Sequence, residues 1–206
     1  MEKFQLWAQP WWVNLLALVP GIAFFLWRKR RPALLWRQLF FLTLFAAAFG
    51  FVEAAVVVYL RAAVGLLPGY HGTLADVQRA SQNYAQDQSI QEFPLSLLTV
   101  ELFREAATIL MLAAVAGLAA PRSRERWACF LWAFAGWDIA YYAGLWATVR
   151  WPRTLTDFDV LFLIPVPWLS QVWFPLAVSA LMMLVIAISR SRESVDPGLP
   201  GHSRVQ

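Results

Sequence analysis

One cysteine, Cys129, and two histidines, His71 and His202, are all that the chain holds of the two residue types that dominate transition-metal sites. A lone thiol cannot close an intrachain disulfide, and no zinc-type spacing is present. No apolar run carries a histidine, which excludes bis-histidine haem and the usual histidine sets of non-haem iron. Charge is scarce as well. Only 15% of residues are charged, against about a quarter in an average globular domain. A phosphate-cradling glycine loop, a dinucleotide fingerprint and a Ser–His–Asp constellation are also missing. No cofactor is expected.

What fills the chain instead is hydrocarbon: 60% of its 206 residues are hydrophobic, 12 of them tryptophan. A membrane-crossing helix needs about 20 mostly apolar residues. Five runs qualify, at about 10–27, 39–60, 95–120, 127–149 and 160–189. The expected fold is an all-α, polytopic integral membrane helix bundle with about five transmembrane helices, forming one domain over 1–189. Trp7, Trp11, Trp12, Trp27, Trp36, Trp127, Trp146 and Trp151 fall near run ends, where indole rings favour the headgroup level. Trp137 and Trp168 are candidates for lining a cavity. Cys129 reads as inert packing.

Lys and Arg set the orientation. Eleven lie in the connections after runs one and three and in the tail, and five lie on the opposite side. Cytoplasmic loops carry the excess of basic residues, so the N-terminus is placed outside and the C-terminus in the cytoplasm. "RKRR", Arg28 to Arg31, follows the first apolar run rather than preceding it, the order of an uncleaved anchor and not of a secretory leader. The net charge of +4 is thus a topology signal, and no nucleic-acid partner is expected.

The outer connection, 61–94, holds Thr73 and Asp76 in a capping-box spacing, followed by Leu74, Val77, Ser81 and Tyr84 on one face. A short amphipathic helix on the outer surface is expected there, with His71 as a solvated turn residue beside it. Pro32 is placed to open the second helix and Pro121 to stop the third. The last run is broken by prolines. Pro165 and Pro167 argue for a short outer segment at 158–166, a break, and a true span from about Trp168 to Ser189. The polar tail, 190–206, should be disordered and cytoplasmic.

The ionisable residues inside these runs are the unusual feature. "TVELFREAATIL" sets Glu101, Arg104, Glu105 and Thr108 at i, i+3, i+4, i+7, a polar stripe on an apolar helix. Glu53 lies about two turns from the outer end of the second run, after Gly50, Ala46 and Ala47, small residues that admit a close helix neighbour. Asp138 lies mid-way along the fourth run, with Tyr141 and Tyr142 one turn further out, and Asp157 and Asp159 precede the fifth. A charge at the centre of a spanning helix costs roughly 2.5–3.5 kcal/mol on insertion scales, so such groups face inward and pair. Arg104 is always charged and needs a carboxylate, with Glu101, Glu53 and Asp138 the candidates. One guanidinium cannot balance them all. Glu101 and Glu105 share a face and could flank a divalent cation, but Arg104 opposes it, and no metal site is assigned.

The stretches "GFVEAAVVVYLR", "ELFREAATILMLAAVAGLA", "FAGWDIAYYAGLW" and "RTLTDFDVLFLIPVPW" resemble a family of small bacterial polytopic membrane proteins over roughly Gly50 to Ser179. That resemblance implies a bacterial inner membrane and brings no catalytic residues with it.

The expectation for function is a periplasm-facing intramembrane pocket of Glu53, Glu101, Arg104, Glu105 and Asp138, with Tyr141, Tyr142, Asp159 and the Pro165–Pro167 break at its mouth. Such a pocket fits binding or movement of a proton, ion or small polar solute, the chain acting in the lipid bilayer, alone, as a homodimer or within a larger complex. The rival expectations are an accessory or assembly subunit of a membrane complex and a membrane-embedded enzyme on a lipid-linked substrate. A purely structural ion-pair network is the plainest alternative.

Overall fold

The computed structural model describes residues 4–63 and 95–191. The expected amphipathic helix, His71, His202 and the tail from 192 onward lie outside the described residues. The described chain is mostly helical. A 3-10 helix, Trp11–Leu18, runs directly into α1, Val19–Trp27. There follow α2, Trp36–Ala63, α3, Leu95–Ala119, and α4, Ser123–Val149. A hairpin of β1, Phe158–Val160, and β2, Leu169–Gln171, precedes α5, Trp173–Ser189.

Among the described residues, two stretches are long and apolar enough to cross a membrane, Trp36–Tyr59 in α2 and Leu97–Ala119 in α3. Trp11–Trp27 and Trp173–Ser189 are apolar but shorter. The fourth expected run is a long helix, α4, carrying Arg124, Glu125, Arg126 and Asp138 along with its tryptophans and tyrosines.

Local chemistry accounts for the ends. Asn14 ties the chain entering the first helix to its first turn, its amide donating to the Ala8 and Trp11 carbonyls at 2.9 and 2.8 Å and its oxygen accepting from the Ala8 N–H. Pro20 lacks the N–H that would bond the Leu16 carbonyl, and the Val19 N–H takes that acceptor in a tighter turn. Pro32 does not open α2. The helix begins at Trp36, with the Gln38 side chain accepting from the Leu35 N–H at 2.9 Å. Pro32 instead offers its carbonyl to the Ser191 N–H at 2.8 Å, tying the start of α2 to the end of α5. Arg190 lies over the Trp36 ring at 3.8 Å in the same knot.

The region around Pro165 and Pro167 departs from an all-helical reading. The break is an antiparallel hairpin with Asp159 opposite Ser170, and α5 starts at Trp173 rather than Trp168. The prolines occupy the exposed hairpin loop, where no ladder donor is needed. Pro175 falls in the first turn of α5, where backbone N–H groups have no helical acceptor to lose. Gln9 pairs with Leu169 through two backbone bonds, 2.8 and 2.7 Å, so the hairpin edge is covered by the chain entering the first helix.

The core is built on a small-residue seam. Ala46, Gly50 and Ala54 on α2 face Gly136, Ala140 and Gly144 on α4, in rising order on both helices, so α2 and α4 run parallel. A Cβ on Gly50 would meet the Trp137 carbonyl oxygen at 2.5 Å. Ala46 is buried as expected, whereas Ala47 faces outward. α4 packs against α2, α3 and α5, and α1 packs on α5. Large apolar side chains of the outer helices stay exposed: Phe40, Phe41 and Leu44 on α2, Phe103 and Leu118 on α3, Phe25 on α1, Leu184 on α5.

Candidate functional site

Among the described residues, a partly open cavity of about 750 Å3 lies between α4, α3, the α1–α5 pair and the hairpin. All eight side chains singled out from the sequence line it: Glu53, Glu101, Arg104, Glu105, Asp138, Tyr141, Tyr142 and Asp159. They arrive on α2, α3, α4 and β1. Trp137 and Trp168 line it too. The rest of the wall is predominantly apolar.

Arg104 organises one end. Its guanidinium donates to Glu101 Oε2 through Nε at 2.9 Å and Nη2 at 2.7 Å, and Nη1 pairs with Glu53 Oε2. The remaining Glu53 oxygen accepts from the Thr108 hydroxyl at 2.5 Å. The i, i+3, i+4, i+7 stripe therefore meets a carboxylate from α2, and Glu53 is only 4% exposed. Asp138, the other expected partner of Arg104, takes a different bond: the Ser179 hydroxyl of α5 donates to its Oδ2 at 2.8 Å.

The remaining carboxylates are held by the hairpin. The backbone N–H of Leu163 donates to both Glu105 oxygens, at 3.0 and 2.9 Å. Asp159 is 1% exposed and accepts from the Tyr142 hydroxyl at 2.7 Å and the Val160 N–H at 2.8 Å. Tyr142 and Asp159 are thus sealed within the wall rather than standing at an open mouth. Pro165 and Pro167 do not line the cavity; their neighbours Phe162, Leu163, Ile164 and Trp168 do. Asp157 does not line the cavity. It braces the turn before β1, accepting from the N–H groups of Arg153 and Thr154 and from the Thr154 hydroxyl.

Three partners went unlisted among the expected site residues. Ser179 had a signal, a hydroxyl in the middle of the apolar run of α5. Thr108 stands on the stripe itself. The Leu163 N–H had none, because a backbone donor released by a hairpin leaves no mark on residue type.

Aromatic rings form the cavity's shoulder. Trp137 stacks on Tyr141 with centroids 6.2 Å apart, Phe162 lies 6.3 Å from Trp137, and Trp168 lies 5.3 Å from Phe162. The indole N–H groups of Trp137 and Trp168 are buried without a hydrogen-bond partner. Among the described residues, no three His, Cys, Asp or Glu side chains are grouped to hold a metal ion. The chamber holds five carboxylates and one guanidinium, a set suited to binding cations or hydrogen-bond donors and to holding protons. Compared with known proteins, the chain matches no family model, no curated protein and no solved structure.

Proposed function

We propose that this chain is a five-span protein of a bacterial inner membrane, with its N-terminus outside and its C-terminus cytoplasmic. Its acidic chamber binds a cationic or proton-donating solute arriving from the periplasmic side, for uptake or transfer. The carrying observation is the convergence of five carboxylates from α2, α3, α4 and β1 on one cavity with a single guanidinium.

Several features support the membrane reading. The first helical segment has only 17 residues, but 8 of them are in 3-10 form. At about 2.0 Å rise for those and about 1.5 Å for the rest it reaches ~30 Å, the thickness of a hydrocarbon core. α4 is less apolar because α2, α3 and α5 surround it, so its Asp138, Trp137 and Tyr142 meet protein rather than lipid. The parallel run of α2 and α4 is what alternate spans require. The exposed leucines and phenylalanines of the outer helices suit an acyl-chain environment.

The test is thermal unfolding of the purified protein against a panel of inorganic and organic cations. A ligand at a hundredfold its Kd stabilises by about 2.7 kcal/mol. At least one cation should raise the midpoint of the wild type, and Glu105→Gln should abolish that rise while leaving the unliganded midpoint within a few degrees. A panel in which no cation moves the wild-type midpoint overturns the reading.

A further inference from the structure

The chamber has two chemically distinct ends, and the contrast identifies the class of guest. Along α4 the lining runs from Tyr142 to Phe130, and along α3 from Leu98 to Leu110. Each spans thirteen residues, twelve helical steps or ~18 Å. Asp159 and Asp138 are neighbours where the hairpin meets α4, and Glu105 faces the hairpin from α3, with Arg104, Glu101 and Glu53 as its charged neighbours. Beyond Phe134 toward the cytoplasmic end, the walls are Phe130, Leu131, Leu110 and Met182, with no charge among them.

The acidic end is also aromatic. Trp137, Tyr141, Phe162 and Trp168 all face the cavity and contact one another in sequence. Asp138 and Glu105 line the same cavity as these rings, and Glu105 is held by the N–H of Leu163, the residue after Phe162 in the chain. Aromatic faces together with carboxylates are the chemistry that recognises alkylated ammonium groups, through the ring quadrupole and through charge. The indole N–H of Trp137, a residue 7% exposed on this wall, is left without a protein partner.

Access is lateral. α3 rests mainly on α4 and, among the described residues, makes no extensive contact with α1 or α5, so the cavity occupies the space between α3 and the α1–α5 pair. In a bilayer that gap faces acyl chains. Hydrocarbon gains little by moving from lipid into an apolar cavity, so a chain supplies entry and alignment, and the head supplies selectivity.

We infer that the guest of this chamber is a single-chain amphiphile with an alkylammonium head, its head in the box of Trp137, Tyr141, Phe162 and Trp168 with Asp138 and Glu105, and its chain along Phe130, Phe134 and Met182. This rests on the reading of the chamber as a cation site and adds the chain and the aromatic box.

The test is carbodiimide modification of the wild-type protein in phosphatidylglycerol nanodiscs, whose lipids carry no ammonium head, read residue by residue by peptide mass spectrometry. Glu105 and Asp138 report the chamber. Glu125, a buried carboxylate near Ala33 at the cytoplasmic end, is the internal control. Dodecyltrimethylammonium should slow modification at Glu105 and Asp138 at least fivefold and leave Glu125 unchanged. Tetramethylammonium at the same concentration should protect less than twofold, and dodecanoate not at all. Equal protection by tetramethylammonium overturns the chain and leaves the cation site standing. Equal protection by dodecanoate overturns the ammonium head. Protection by neither ammonium overturns both the inference and the cation site.

Discussion

Gly50→Ala adds one methyl group at the tightest point between α2 and α4. The new Cβ would lie 2.5 Å from the Trp137 carbonyl oxygen, 2.8 Å from the Ala140 Cβ and 2.9 Å from the Tyr141 nitrogen. Two of these neighbours are helix backbone and cannot rotate away. Reaching 3.4 Å, where ordinary contact begins, requires about 0.9 Å of separation. A gap of that size forfeits about a quarter to a half of the dispersion energy of each contact across the seam. The Ala46–Gly136 and Ala54–Gly144 approaches share the loss, because the helices are rigid. The expected cost is about 2–3 kcal/mol, the upper part of the range for overpacking. Glu53, one turn away on the same helix, would also shift against Arg104. The assay is reversible unfolding in mixed micelles by denaturing detergent, with Gly21→Ala and Gly117→Ala as controls. Nothing lies within 4 Å of a Cβ at either control site, so both should be neutral or gain up to ~1 kcal/mol from helix propensity. A Gly50→Ala protein as stable as the controls would refute the parallel close approach of α2 and α4.

Further expectations follow from individual contacts. Tyr142→Phe removes the hydroxyl donor to buried Asp159 and should cost about 1–3 kcal/mol in the same unfolding assay, with Asp159→Asn restoring part of the loss in the double variant. Ser179→Ala takes from Asp138 the hydroxyl that donates to it and should destabilise by a similar ~1–3 kcal/mol, whereas the neighbouring exposed Leu181→Ala should have little effect. Cys129 is fully buried in the core, so a maleimide should react with it only after denaturation; rapid labelling of the native protein would contradict the packing of α4.

The site was legible because ionisable residues in apolar helices carry information that apolar residues do not. The spacing of Glu101, Arg104, Glu105 and Thr108 fixes one face of α3, and hydrocarbon leaves such a face nowhere to go but inward. Glu53 followed from its small-residue neighbours, which mark a close helix contact. What stayed hidden was pairing across elements: that Arg104 takes Glu53 while Asp138 takes Ser179 depends on helix rotation, which composition does not encode. The proline-rich stretch was legible as a break but not as a hairpin. Three-residue strands have too little alternation to read, and here their pairing depends on Gln9, far away in sequence. The two-ended character of the cavity was hidden for the same reason, since Phe162 and Trp168 join Trp137 only once the hairpin folds back over α4.

The central claim is that carboxylates from separate helices meet one guanidinium inside the bundle. The most direct measurement is a double-mutant cycle of Glu53→Gln and Arg104→Met on unfolding free energy. Arg104→Met should cost about 3–5 kcal/mol, because it strands the buried carboxylates of Glu53 and Glu101, whereas Glu53→Gln leaves Arg104 paired with Glu101 and should cost about 1–3 kcal/mol. The double variant still leaves Glu101 without its guanidinium, but it should cost less than the two single changes summed, by a coupling above about 1.5 kcal/mol. Costs that simply add would mean that α2 and α3 do not bring these two side chains together, and the chamber as described would not exist.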